Sequence, residues 1–115
     1  MMLRSPTLSL ALLSLMMVVS VPAPAVAAPS VTSTIDVGTG PQSVAFSPNG
    51  TKAYVANSGG VENDTVSVIT VATGEVAADP ISVGVSPSSV AFSPNGKKAY
   101  VTNVDDGTVS VIKTR

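Results

Sequence analysis

Four acidic side chains lie in two short polar loops of the sequence: Glu62 and Asp64 in "SGGVEND", and Asp105 and Asp106 in "VDDG". Carboxylate oxygens suit Ca²⁺, so the two loops are calcium candidates if a fold places them on one face. Their spacing matches no EF-hand or other tight calcium motif, and Asp–Gly pairs are ordinary turn chemistry. We therefore interpret the four residues as solvated loop charges and predict no metal site.

The sequence lacks the residues on which most catalytic sites depend. It contains no His, no Cys and no Trp. This excludes Ser-His-Asp and Cys-His nucleophiles, the usual zinc ligand sets and His-held haem. Its glycines stand in turn-like contexts and form no phosphate-binding loop. We predict no catalytic residue, no cofactor-binding residue and no cofactor, and we expect a protein that is not an enzyme.

Residues 1–27 have the pattern of a secretory signal peptide. Arg4 precedes an uncharged apolar run, Leu8–Val21, and Ala25-Val26-Ala27 fits the cleavage site. The alternative is an uncleaved anchor, but the run is shorter than the roughly 18–20 residues of a spanning helix. We expect cleavage before Ala28, a secreted or extracytoplasmic location and no stable membrane span.

The composition after cleavage limits the partners. The remaining 88 residues hold five Lys or Arg and seven Asp or Glu, a net charge of −2 (5 minus 7), which does not favour nucleic acid or anionic lipid. Without Cys no disulfide can form, so core packing alone must stabilise the fold. A free monomer of this size would be marginally stable.

The chain contains an internal repeat. Val37–Asn57 and Val83–Asn103 are identical at 16 of 21 positions, and both read V-G-x-x-P-x-S-V-A-F-S-P-N-G-x-K-A-Y-V-x-N. "TVSVI" follows each copy, after a loop that is three residues longer in the first. We divide the chain after a short linker, residues 28–30. An outer strand, residues 31–37, then precedes repeats at about residues 37–82 and 83–115.

Each repeat reads as short strands separated by turns. "SVAFS", "KAYVxN" and "TVSVI" are the first three strands, and "SPNG" is a type I turn with a left-handed Gly. "VAADPISVG" supplies a fourth, outer strand, where a Pro is tolerable. Four antiparallel strands in about 40–46 residues are typical of a β-propeller blade. The fold class is therefore all-β. A β-sandwich is second, but it would not require near-identical copies.

Other recurring side chains have structural interpretations. The same aromatic pair occurs in both repeats, as Phe46 and Tyr54 in the first and as Phe92 and Tyr100 in the second. We expect these side chains to pack in the core between blades rather than to bind a ligand. The lysines after the turns, Lys52, Lys97 and Lys98, keep the strand soluble. Asn49 and Asn63 begin glycosylation sequons, which matter only in a eukaryotic source.

Tyr100-Val101-Thr102-Asn103 resembles the motif of the YVTN β-propeller repeat family, and the flanking "P-x-S-V-A-F-S-P-N-G" and "T-V-S-V-I" match the order usual in that family. The first repeat departs at Ala56, where the motif has Thr. The resemblance covers about Ile35 to Lys113. It implies an exported propeller, usually of seven blades, with surface-layer-type members and no single activity.

The strand count sets the expected partners. The predicted strands are one outer strand at residues 31–37, four in the first repeat and three in the second. These eight strands make two four-stranded blades, whereas a closed ring needs about 4 to 8 blades. Copies of the chain could complete a ring, blades could be missing from a truncated frame, or an open monomer could exist. We expect self-association or missing blades, and a protein or cell-envelope partner. The predicted function is an exported, non-catalytic module for binding or cell-surface interaction. The alternatives are a fragment of a lactonase- or dehydrogenase-like propeller enzyme and a frame without independent function.

Overall fold

The computed structural model describes residues 28–60 and 64–114, so the predicted signal peptide, Glu62 and Asn63 lie outside the described residues. Of the described residues, 28–32 and 33–114 fall into two separate units. Residues 28–32 have no regular secondary structure, and both sheets belong to the second unit. In the described ranges no helix is long and apolar enough to cross a bilayer.

Within residues 28–60 and 64–114, eight strands build two antiparallel sheets, which confirms the all-β fold class. The strands are β1 Pro41–Phe46, β2 Lys52–Ser58, β3 Asp64–Thr70, β4 Glu75–Val76, β5 Ile81–Ser82, β6 Pro87–Phe92, β7 Lys98–Asn103 and β8 Thr108–Lys113. The first sheet, blade 1, has the order β1-β2-β3, with β4 and β5 both paired to β3. The second sheet, blade 2, has the order β6-β7-β8.

The "SPNG" segments form the predicted hairpin turns. The N–H of Gly50 donates to the Ser47 carbonyl at 2.8 Å, and Gly96 donates to Ser93 at the same distance. Gly50 and Gly96 have φ angles of 75° and 74°. This left-handed conformation suits Gly because it has no Cβ. The turn prediction is confirmed.

The two blades share one strand register. In each blade the pairing of the first two strands slips by one residue at the same place, between Pro41 and Ser43 and between Pro87 and Ser89. Such a bulge strengthens the local twist of the strand pair. The near-identical sequences therefore fold into near-identical inner sheets.

The outer strand of blade 1 is split, where the sequence predicted one continuous strand. β4 pairs with one end of β3, and β5 pairs with the other end with the register shifted by two residues. The interruption includes Pro80, which has no N–H to donate to the ladder. β4 and β5 together are the fourth strand of the blade.

Blade 2 has three strands in the described chain, which corrects the predicted pair of four-stranded blades. Residues 31–37, predicted as an outer strand, form no strand. The repeat explains why. Ile81 and Ser82 pair with the sheet that precedes their own blade, whereas the described residues contain no sheet before the equivalent Ile35 and Asp36.

Side chains alternate between the two sides of each sheet, so each blade has two faces. We call the side with Tyr54 or Tyr100 the tyrosine face, and the side with Phe46 or Phe92 the phenylalanine face. The tyrosine face of blade 1 packs on the phenylalanine face of blade 2. This contact is the hydrophobic core, which contains Tyr54, Ala56, Val66, Val90, Ala99, Val101 and Ile112, with Ala45, Val68 and Phe92 packed against it.

Candidate functional site

Two of the described acidic loop residues, Asp105 and Asp106, accept hydrogen bonds from the segment that precedes β6. Asp106 Oδ2 accepts a hydrogen bond from the Val85 N–H at 2.9 Å, and Asp105 Oδ2 accepts one from the Ser86 hydroxyl. Both bonds fasten the loop between β7 and β8 to the segment that enters β6. Asp64 lies at the start of β3. Among the described residues no three His, Cys, Asp or Glu side chains are close enough to hold a metal ion.

The lysines after the hairpin turns are exposed and lie on separate blades. Lys52 Nζ donates to Thr70 Oγ1 at 3.0 Å, across the pairing of β2 with β3. Lys97 and Lys98 occupy the equivalent end of β7. Their role in solubility stays a prediction.

The recurring aromatic side chains occupy two different environments. Tyr54 is 6% exposed and meets Phe92 edge to face, with ring centroids 4.8 Å apart and an interplanar angle of 74°. The edge-to-face arrangement adds attraction beyond the buried area. These two residues therefore form the predicted interblade core. Their equivalents are exposed instead, Tyr100 by 43% and Phe46 by 62%.

Each blade thus has exposed apolar side chains on the face that does not contact the other blade, although Ala53 and Val55 on that face of blade 1 are only 4% and 7% exposed. The open phenylalanine face of blade 1 carries Val44 and Phe46, and the open tyrosine face of blade 2 carries Tyr100, Val109 and Val111. Exposed apolar clusters of this kind mark surfaces that bind another protein. We treat these two open faces as the candidate functional site.

Two buried asparagines have a structural role that was not predicted from the sequence. Asn57 Nδ2 donates to Ser67 Oγ at 3.0 Å, and Asn103 Nδ2 donates to Ser110 Oγ at 2.9 Å. Both side chains are buried, and each ties the end of the second strand of its blade to the third. The available signal was the Asn that ends "YVxN" in both repeats.

A glycine approaches each asparagine closely. A Cβ atom at Gly38 would lie 2.7 Å from the side-chain amide carbon of Asn57, and one at Gly84 would lie 2.7 Å from that of Asn103. Contacts under 3 Å are essentially forbidden, so these glycines give the V-G pair of each repeat a packing role.

Two open clefts lie in the second unit. One, of about 210 Å³, lies between the hairpin turns and is bounded by Thr51, Lys52 and Thr114. The other, of about 440 Å³, lies beside the outer strand and is bounded by Asp36, Thr65 and Ser67. Each cleft has hydroxyl side chains and one charged residue at its border, Lys52 in the first and Asp36 in the second. This combination alone does not define a reaction.

Comparison with known proteins shows the fold class. No protein-family model matches the chain, and no curated protein matches it. Hydrazine synthase of Kuenenia stuttgartiensis superposes with a TM-score of 0.60 and 26% sequence identity, over 75% of this chain and 24% of that one. A "putative 6-phosphogluconolactonase" from Bacteroides fragilis superposes with a TM-score of 0.57 and 22% identity, over 66% of this chain and 22% of that one.

The two solved structures have propeller-type folds, and the sheets of this chain correspond to blades of such a fold. The chain is therefore β-propeller-like. It spans about a quarter of the length of either structure. Within that class, the described residues supply two blades, one of four strands and one of three.

Proposed function

We propose that this chain is an exported, non-catalytic β-propeller module that binds a protein or a component of the cell envelope. The observation that carries the proposal is the pair of open apolar faces, one on each blade. Such faces favour binding, because an apolar surface that stays in water costs free energy. The absence of His and Cys from the sequence excludes the Ser-His-Asp and Cys-His types of nucleophile.

The proposal includes the size of the assembly. A propeller ring closes with about 4 to 8 blades, and two blades occupy part of that circle. The chain therefore acts as part of a larger propeller, with adjoining blades on both open faces. We assign the repeats to the YVTN type on the residues that resemble that motif, Tyr100 to Asn103.

Export is tested by locating the protein in cell fractions and determining its first residue. We expect the full chain, expressed in a bacterium, to be recovered there with Ala28 as its first residue. Cleavage requires a small residue at position 27, so Ala27→Arg should retain the leader, whereas the matched change Ala23→Arg should not. A wild-type product that stays in the cytoplasm with residues 1–27 attached would contradict export.

Binding is tested by sedimentation with cell envelopes. We expect the exported chain to co-sediment with envelopes of the source cell in a saturable manner. The unlabelled chain should compete, and serum albumin should not. A chain that remains in the supernatant at every concentration would count against the binding role at the envelope.

The second candidate is a fragment of a propeller enzyme. It has one observation in its favour: both solved structures are named for enzymes, a hydrazine synthase and a lactonase. The assay is hydrolysis of a sugar lactone by the purified chain. We expect no turnover above the buffer rate. Lactone hydrolysis that co-purifies with the chain would favour the second candidate, a fragment of a propeller enzyme.

A further inference from the structure

We propose that the partner of each open face is a second copy of this chain. The tyrosine face of blade 2 in one copy packs on the phenylalanine face of blade 1 in the next copy. This inference rests on the proposed function as a propeller module, and it identifies the component that supplies the adjoining blades.

The contact between blades 1 and 2 is the template for the contact between copies. Residues of the buried tyrosine face recur unchanged on the open one: Tyr54 as Tyr100, Val66 as Val109 and Val68 as Val111. Residues of the buried phenylalanine face recur in the same way: Val90 as Val44 and Phe92 as Phe46. Each open face is therefore a copy of a surface whose partner the chain already contains.

The aromatic pair shows what docking would bury. Tyr54 and Phe92 are in edge-to-face contact inside the chain. Tyr100 and Phe46, their equivalents, are exposed at opposite ends of the two-blade unit, so a single chain cannot bring them together in the same way. Between copies, Tyr100 would meet Phe46 of the next chain in the geometry that the internal pair shows.

One position departs from the repeat and remains compatible with docking. Thr102 replaces the buried Ala56 on the tyrosine face. The Thr102 hydroxyl lies 2.9 Å from the Ser88 hydroxyl, within hydrogen-bond distance. Burying a polar group costs free energy mainly when the group has no hydrogen-bond partner. Burial of Thr102 would therefore leave no unpaired hydroxyl at this position.

The free edge of blade 2 supplies a second contact. In blade 1, Ile81 and Ser82 pair with Val66 and Thr65 at the outer edge of β3. No described strand pairs with the corresponding edge of β8. By the same register, Ile35 and Asp36 of the docked copy would lie opposite Val109 and Thr108. The docked copy would thus cover an exposed strand edge, which would otherwise invite uncontrolled pairing.

The interface joins two different faces, so it is head-to-tail. A head-to-tail contact produces a closed ring when its rotation closes. With the two described blades from each copy, a ring of about 4 to 8 blades would contain roughly two to four copies.

The experiment uses one blocking substitution on each face of the full chain, with the exported product purified. Phe46→Lys places a charge on the open phenylalanine face, and Tyr100→Lys places one on the open tyrosine face. We expect wild type to form a discrete oligomer in light scattering. Each variant alone should be a folded monomer, with association weakened at least about 30-fold, as for the loss of an interface hot spot.

Mixing the two variants is the decisive step. Each retains the face that the other has lost, so the mixture should form a one-to-one dimer and grow no further. Val104→Lys is the matched control, because Val104 is exposed to the same degree as Phe46 but lies in the turn after β7. It should leave the wild-type oligomer intact. Circular dichroism and a cooperative thermal transition show that each variant is folded.

Three results would overturn the inference. One is a folded wild-type monomer, which would leave the open faces to blades of another polypeptide. Another is a mixture that stays monomeric while wild type assembles, and the third is dissociation by Val104→Lys. The sedimentation experiment is read separately, so a chain that binds envelopes as a monomer would reject this inference and retain the proposed function.

Discussion

Blades 1 and 2 have nearly the same inner strands but opposite surroundings. The tyrosine face of blade 1 is covered by blade 2, and the same face of blade 2 is open. The outer edge of β3 is paired with β4 and β5, and the outer edge of β8 has no partner among the described strands. The difference teaches that the repeated residues determine the sheet, whereas position in the array determines which faces are buried.

The largest expected difference between the blades concerns their tyrosines. Tyr54→Ala should lower the free energy of unfolding by about 3–4 kcal/mol, because it removes a buried ring from a packed core. Tyr100→Ala should cost less than about 1 kcal/mol, because much of that ring is already in water. The measurement is urea denaturation at low protein concentration, which disfavours any association between copies. Equal losses would mean that both tyrosine faces are packed alike.

A smaller effect, equal in both blades, is expected for the buried asparagines. Asn57→Ala and Asn103→Ala should each cost about 2 kcal/mol, because each removes a buried amide that is hydrogen-bonded to hydroxyls of the third strand. Ser82→Ala, at an exposed position, is the control and should change stability by less than about 0.5 kcal/mol. The same denaturation experiment applies. A large inequality between the asparagines would show that their role depends on position in the array.

The smallest effect concerns a glycine that the second repeat has replaced. Gly40 has a φ of 65°, and Ser86, at the equivalent position, has a φ of 58°. Gly40→Ser should destabilise by about 1 kcal/mol, because a side chain is strained at positive φ. It would also place a Cβ 2.8 Å from the Ser58 carbonyl oxygen.

Ser86→Gly is the reciprocal change. It relieves the strain at positive φ but removes the hydrogen bond from the Ser86 hydroxyl to Asp105. We expect a change of less than about 0.5 kcal/mol, since the two contributions oppose each other. Thermal unfolding of both variants provides the measurement. A large loss for Ser86→Gly would show that the loop bond outweighs the backbone strain.

The local features of the fold could be predicted from the sequence because short-range chemistry determines them. The "SPNG" turns and the alternation of "KAYV" depend on neighbouring residues alone. Residues 31–37 were wrongly predicted as a strand because a strand also needs an edge to pair with, and that edge belongs to another blade. The split at Pro80 likewise depends on how the outer strand meets β3.

The candidate site was accessible from the sequence only in part. The recurrence of Tyr54 and Tyr100, and of Phe46 and Phe92, indicated an interblade core. Which members of the two pairs are buried depends on the order of the blades in space. The asparagine bonds were missed because their hydroxyl partners lie on the following strand, beyond a loop whose length differs between repeats.

That difference in loop length has a practical consequence. Asn57 pairs with Thr65, and Asn103 pairs with Thr108, although the first loop is three residues longer. Strand pairing is therefore insensitive to what connects the second and third strands of a blade, as expected for surface loops. A foreign peptide spliced after Gly60, an exposed residue of the longer loop, should be displayed on an intact blade. An assembled ring would then present that peptide at regular intervals around one rim.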